Sequence, residues 1–387
     1  MFDIAIIGAG VFGSWCAYLL RHTGAKVALI DAYGPASSRA SSGGESRIIR
    51  LGYGPGEIYT RSAQRSLELW QAIFQRIATD QIAPLTSPLF RQTGVLWLAH
   101  AQDAYCEATL ANLAKVGARY ERLDRTELVR RYPQLEFGSI EWGILELDAG
   151  VLMARRAVQT ICRLAESDGI TYSQESVLPP QQSSRLQFVS TASGTKIGAG
   201  KFIFACGPWL PKIFPALLAE LFHITKQEVF FFGVPAGDER FDETQLPTWI
   251  DFHDLIYGMP NLDQRGFKLA IDAHGPEFDP DTGERLVSME RLADARRYLA
   301  QRAPALATAP VLETRVCQYE NTSSGDFLID VHPEISNLWL VGGGSGHGFK
   351  HGPAVGEYVV QLISGDGTVE PRYGLATKQK IQERKVY

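Results

Sequence analysis

The sequence predicts an α/β fold of two interleaved lobes, one built on a βαβ unit with parallel strands and the other on a mixed β-sheet. Three observations predict it. The chain opens on an apolar run, Ile4 to Ile7, which meets Gly8-Ala9-Gly10, passes through a helix-like stretch and returns in a second apolar run ending on Asp31. Further elements of this kind recur near residues 150–210 and at the C-terminus. β-rich stretches lie between them, and no long structureless linker separates the pieces. The expected division assigns 1–83, 146–216 and 316–387 to the first lobe, and 84–145 and 217–315 to the second.

Taken in order, Val11 to Arg21 has helical character, and "KVALIDA" is the second strand. A Ser/Gly-rich loop, Pro35 to Glu45, precedes "SRIIRLGYG". An amphipathic helix falls within Tyr59 to Ile77, with Leu67, Trp70, Ile73 and Ile77 on its apolar side. The pattern turns β-like between Pro84 and His100, where "TGVLWLAH" is a strand. Helical stretches then alternate with one strand to Tyr132. "AGVLMARRAVQTICRLAESDG" is expected as one capped helix, and "KFIFACGPW" as a buried strand running into a Gly-Pro turn. Lys226 to Ile271 holds four strands, "EVFFFGV", "PTWIDF", "DLIYGMP" and "GFKLAID". A helix follows in Ser288 to Arg302. The chain closes with strand "NLWLV", the loop "GGGSGHGFKHGPA" and helix "VGEYVVQLIS".

Composition narrows the function. The chain has 387 residues, 45% hydrophobic and 21% charged, with a net charge of -5. That balance fits a globular protein and disfavours nucleic acid, whose phosphates require a basic face. No apolar run is long enough for a membrane span. The N-terminus lacks a positive leader, and the C-terminus carries no peroxisomal signal. Five cysteines without CxxC spacing argue against a disulfide scaffold or a zinc site, so a reducing cytoplasm is expected. A monomer is expected, with an oligomer left open.

The chemistry begins at Gly8-x-Gly10-x-x-Gly13. Gly8 permits the tight turn, Gly10 lets a pyrophosphate approach the backbone, and Gly13 lets the helix pack close to the strand. The helix N-terminus offers free N–H groups to phosphate, and Asp31 can take the ribose hydroxyls while repelling the extra phosphate of NADP. The fingerprint alone does not separate NAD from FAD. Its position at the very start of the chain, and the second Gly-rich cradle "GGGSGHGFKHGP" before a helix, favour FAD, an extended molecule needing contacts from both ends of the chain.

Other residues are ambiguous from pattern. Arg47, Arg50 and Tyr53 would share a face if "SRIIRLGYG" were helical. A solvated basic face is the ordinary reading, but the interleaved Ile48, Ile49 and Leu51 would partly bury the pair, and a substrate carboxylate would then serve as its partner. Alternation puts Lys268 opposite Phe267 and Leu269, which favours solvent exposure. Cys317 has the pattern of inert packing. His347 and His351 are four apart without a third ligand, so no metal site is expected.

Together, "IIGAGVFGSWCAYLLRHTGAKVALIDAYGP", "SRIIRLGYGPG", "TRVCQYENT…FLIDVHPE" and "GGGSGHGFKHGPAVGE", in this order, resemble the monomeric sarcosine oxidase and N-methyltryptophan oxidase family of D-amino-acid-oxidase-like flavoproteins. The resemblance implies the two-lobed, glutathione-reductase-like architecture, with an FAD-binding Rossmann-like domain and a mixed sheet roofing the flavin. It implies hydride transfer from a secondary amino acid, N-methyl or cyclic, to flavin N5, hydrolysis of the imine, and reduction of O2 to H2O2. Arg50 and Lys350 match a pair that clamps the substrate carboxylate, and Arg47 matches an arginine beside the flavin. Lys268 matches a lysine that promotes the reaction with O2, which reverses the solvent-exposed reading. Tyr257 and Tyr319 match residues of the substrate cavity, and Val177 matches a position holding the adenine. Ser42, Gly346, His347, Gly348 and Lys350 complete the implied cofactor set, and Cys317 matches the cysteine carrying the flavin in a thioether.

The chain also departs from that family. Gly43 stands for a histidine and is expected to open space. Asp272 stands for another histidine, Ser46 for a threonine. An acid near a carboxylate substrate is unfavourable unless it meets an amine, which points to a bulkier or amine-bearing N-substituted or cyclic amino acid. The alternative is a flavoprotein of the same fold that passes electrons to an acceptor other than O2, or works in biosynthesis.

Overall fold

Short apolar runs without a polar break are strands that must be covered on both faces, which in a parallel sheet requires helices on each side. The structure, a computed structural model describing residues 1–79, 87–181 and 183–383, arranges them so. β1 (Phe2–Ile7) and β2 (Val27–Asp31) pair in parallel, with Ile4 opposite Val27, and α1 (Val11–Leu20) crosses between them. Among the described residues they belong to a seven-stranded sheet. Its order is Leu328–Val331, Leu338–Gly342, Lys196–Phe204, β1, β2, Thr171–Gln174, with Phe188–Ser190 paired to Lys196–Phe204. The helices α1, Ala154–Ser167 and Gly352–Ser364 cover one face, where Trp15 meets Trp70 edge-on at 5.0 Å and Trp70 stacks on Phe349 at 5.9 Å.

The second lobe is a mixed, eight-stranded sheet. It runs Val311–Asn321, His223–Phe232, Phe267–Ile271, Ile256–Met259, Thr248–Asp251, Val95–Ala99, Trp142–Glu146, Tyr120–Asp124, and its one parallel pairing is Thr248–Asp251 with Val95–Ala99. Helix Met289–Arg302, capped by Ser288, packs on one face over Phe230, Phe232, Trp249 and Phe267. A small sheet of Arg47–Ile49, Gly150–Leu152 and Phe90–Arg91 lies apart from both. The fold class is the one the sequence predicts. Among the described residues no helix is long and apolar enough to cross a membrane.

Several local expectations need correction. "SRIIRLG" is a strand over Arg47–Ile49, not a helix, because Ile48 and Ile49 pair with Val151 and Gly150. The stretch expected as one capped helix begins as the strand Gly150–Leu152. Its helix starts only at Ala154, has no side-chain N-cap and ends at Ser167, and Gly169, just beyond the C-cap Asp168, takes a φ of 104° that suits glycine. The expected lobe boundary at 83/84 lies outside the described residues. Those at 145/146 and 315/316 fall inside the strands Trp142–Glu146 and Val311–Asn321.

Candidate active site

The first cleft, about 320 Å³, opens at the carboxyl ends of β1 and β2. Gly8 has φ 108°, and a Cβ there would stand 2.3 Å from the Ala205 carbonyl oxygen, so only glycine fits. A Cβ on Gly13 would stand 1.9 Å from the Gly8 carbonyl oxygen. Gly13 therefore sits behind the turn and lets α1 approach, while Gly8 and Gly10 line the cleft. The Val11 amide at the start of α1 donates to Ser42 Oγ at 3.0 Å. Asp31 accepts from the amides of Ala9 at 2.7 Å and Tyr33 at 2.8 Å. Burial raises its pKa against the pull of those amides. Val177 lines the same cleft. Two buried polar atoms facing it, Ser37 Oγ and Glu320 Oε2, have no hydrogen-bond partner among the described residues.

The second cavity, about 90 Å³, shares Arg47, Cys317, Tyr319, Gly346 and Phe349 with the first. The two meet at those residues. Arg47 donates to the carbonyl oxygens of Ser41 at 2.7 Å and Ser46 at 2.8 Å, and to Cys317 Sγ at 3.2 Å. Burial opposes its charge, but Cys317, Tyr257 and Tyr319 outweigh it and hold the guanidinium above its usual range.

Arg50 and Lys350 stand on the wall of the second cavity, each 5% exposed. Arg50 donates to the Gly52 carbonyl and lies 4.3 Å over the Tyr53 ring and 4.8 Å over Trp97. Lys350 Nζ donates to Tyr53 Oη at 2.9 Å and to the His347 carbonyl at 3.0 Å. Burial, and then Arg50, push its pKa well down. Tyr53 also meets His351 Nε2 at 2.7 Å, so these groups form one buried network.

Tyr257 and Tyr319 line the cavity, and burial raises both phenols. The Tyr319 hydroxyl donates to Asp272, which lines the cavity too. Lys268 is 3% exposed, contrary to the exposure that alternation alone favours. Its strand is covered on both faces: Phe267 and Leu269 enter the core under Met289–Arg302, and Lys268 turns to the other side. There Nζ donates to the Ser46 carbonyl and Oγ, both at 3.1 Å, and lies 5.7 Å from the Tyr257 ring centre. Burial, and then Arg47, press its pKa well below the lysine range. Lys268 lines neither cavity and stands behind Ser46 and Tyr257.

The Gly-rich cradle divides. Gly346 and Gly348 line the first cleft, but His347 and Lys350 line only the second. The His347 ring stacks on Phe327 at 4.9 Å and meets the Gly325 carbonyl at 3.0 Å. Gly43 opens no space: a Cβ there would stand 1.9 Å from the Ser37 carbonyl oxygen, so the loop backbone already fills the position.

A family model described as DAO, FAD dependent oxidoreductase, matches residues 3–362. The chain belongs to this FAD-dependent oxidoreductase family. It is 30% identical over 378 residues to a monomeric sarcosine oxidase of Bacillus sp. (strain B-0618), covering 93% of this chain and 92% of that protein. It is 28% identical to an N-methyl-L-tryptophan oxidase of Salmonella heidelberg (strain SL476), covering 94% and 95%. Its fold is similar to the solved structures of L-proline dehydrogenase from P. horikoshii (TM-score 0.81, 22% identity, 96% of each chain) and of NikD (0.79, 21% identity, 96% and 97%).

The first cleft of this FAD-dependent oxidoreductase fits its cofactor. Gly8 and Gly10 expose backbone at the helix start, Asp31 ends the second strand, and the two unpartnered oxygens call for polar ligand atoms. Sequence reasoning missed two acids. Glu146 is 2% exposed and accepts from the Leu51 and Gly52 amides and from Trp97 Nε1, which fixes the segment after Arg50. Glu320 borders the cofactor cleft. No local signal marks either, since every partner of Glu146 is at least 49 residues away in the chain.

Proposed function

We propose that the protein oxidises secondary amino acids, N-methyl or cyclic, and that O2 is its electron acceptor. The observation that carries this reading is the pair of buried cations, Arg50 and Lys350, on the wall of a small cavity that shares residues with the FAD cleft. Cations held in low dielectric are costly, and an amino acid's carboxylate placed between them would offset that cost through charge-assisted hydrogen bonds. The sarcosine and N-methyl-L-tryptophan oxidases among the relatives support the substrate class.

FAD, when bound, would supply the two-electron acceptor for the hydride on the carbon next to the amine. The imine that leaves hydrolyses in water, and O2 ends as H2O2. The chain's residues position and polarise. Arg50 and Lys350 orient the carboxylate, and that anion favours the charged form of Lys350. Tyr257 and Tyr319 wall the reacting end. Asp272, held by Tyr319, favours a substrate with an amine on that side. Lys268 sets a positive charge near the junction of the two cavities, where negative charge develops on O2. Arg47 keeps a permanent charge beside Cys317 and donates to its Sγ. We assign Cys317 as the covalent attachment point of the cofactor. Burial raises the thiols of Cys16, Cys106, Cys162 and Cys206.

Acid precipitation tests the attachment. The yellow should remain in the wild-type pellet and move to the supernatant in Cys317→Ala; colour in the supernatant for both would rule it out. Peroxide formed in near-equal yield to substrate supports the oxidase, whereas substrate turnover without peroxide would favour a dehydrogenase.

A further inference from the structure

Glu320 is a buried carboxyl group with no ion pair among the described residues. It lies near the end of the strand Val311–Asn321, three residues past Cys317, and is 7% exposed. Oε1 accepts from the Gly344 amide at 3.1 Å, and Oε2 has no partner among the described residues. No cation pairs with it in the described structure. Burial pushes its pKa up to about 7, with the Gly344 and Gly343 amides pulling the other way. A carboxyl so placed costs stability unless something fills its open valence.

Its surroundings show where the missing partner comes from. Glu320 stands where Lys196–Phe204 and Leu338–Gly342 end, the carboxyl edge of a parallel sheet, where such folds hold their ligands. Glycines surround it. A Cβ on Gly207 would lie 3.8 Å from Oε2, and one on Gly342 would lie 3.6 Å away. These small residues leave room beside the free oxygen. The first cleft includes Glu320 together with Gly8, Gly10 and Asp31. The ends of the cofactor are already assigned: the adenosine ribose at Asp31, the pyrophosphate at the start of α1, and the ring at Cys317 and Arg47. What lies between pyrophosphate and ring is a chain of hydroxyl groups.

We propose that Glu320 is a ligand of that hydroxylated linker, with Oε2 accepting a hydrogen bond from a linker hydroxyl while Oε1 stays on the Gly344 amide. The proposal rests on FAD occupying the first cleft. The linker hydroxyls suit this site better than the pyrophosphate, which would set a second anion against an acid that has no cation nearby.

The test uses full-length holoprotein carrying Cys317→Ala, so that FAD can be released. FAD affinity is read from flavin fluorescence on dilution, and ADP affinity from its competition with FAD. ADP contains the adenosine and pyrophosphate but no hydroxylated linker. Glu320→Ala should weaken FAD by about tenfold or more and leave ADP within about twofold. Glu320→Gln, which keeps an acceptor and adds a donor, should restore most of the loss. Glu320→Asp, one methylene shorter with the same charge, provides the same comparison should alanine fail to fold, and should also weaken FAD selectively. Equal weakening of FAD and ADP would reduce Glu320 to a structural role and overturn the proposal, as would unchanged FAD affinity. ADP that does not compete for the parent protein would count against the cleft assignment and remove the proposal with it.

Discussion

Replacing Lys268 with methionine separates the two halves of the proposed reaction. Methionine keeps most of the stem and removes the charge and its three N–H donors. The structural cost is small. The Ser46 carbonyl still accepts from Arg47 at 2.8 Å and Ser46 Oγ still touches Met259 Sδ at 3.4 Å, so no buried acceptor is stranded. Removing a cation that burial and Arg47 already disfavour offsets part of what is lost. For the chemistry, 5.7 Å from Nζ to the Tyr257 ring sets the length scale. A unit charge at that distance, in an effective dielectric of about 20, contributes about 3 kcal/mol, or about a hundredfold in rate. Stopped-flow absorbance gives both half-reactions: anaerobic mixing with substrate for reduction, and mixing of the reduced protein with O2 for reoxidation. Reoxidation should fall about a hundredfold in Lys268→Met while reduction changes by less than about threefold. The pH profile has a fixed sign. The ammonium is present below a pKa depressed from the ordinary lysine value, so wild-type reoxidation should decline as pH rises through that depressed value, and Lys268→Met should be flat. Equal losses in both half-reactions, or unchanged reoxidation, would refute the role.

Other substitutions test the remaining parts. Arg50→Met should weaken carboxylate substrates by about ten- to a hundredfold while sparing amines without a carboxylate, as titration of flavin absorbance would reveal; unchanged affinity would count against the clamp. Gly8→Ala forces a Cβ onto the Ala205 carbonyl at φ 108°, so bound flavin and Tm should both drop. Gly43→Ala should lower Tm by a few degrees, because its Cβ meets the Ser37 carbonyl; full tolerance would restore the idea of an open space there.

The dinucleotide fingerprint was legible because each glycine answers a local constraint: Gly8 its positive φ, Gly13 the helix approach. Arg47 and Arg50 were legible as a pair, although by the wrong geometry. Arg47 lies in the strand Arg47–Ile49 and Arg50 just past its end, and they point to opposite sides, Arg47 toward Ser41 and Cys317 and Arg50 toward Tyr53 and Trp97, yet both border the second cavity. Lys268 misled because alternation implies one wet face, and its strand has none. The strand carrying Cys317 was not legible in "TRVCQYEN", whose polar residues form the edge of the eight-stranded sheet, paired with His223–Phe232. Glu320 was invisible for another reason: its meaning depends on a loop that returns from Gly343 and Gly344 and on a cofactor. Charge, spacing and periodicity locate elements, and the closing of distant segments decides which polar groups are buried.

Anaerobic stopped-flow mixing of the purified protein with a panel of N-methyl amino acids, proline and pipecolate tests the central claim most directly. Secondary amino acids bearing a free carboxylate should bleach the flavin band in a saturable, single-turnover phase, with amine-bearing members favoured. No bleaching by any member of the panel would contradict the account.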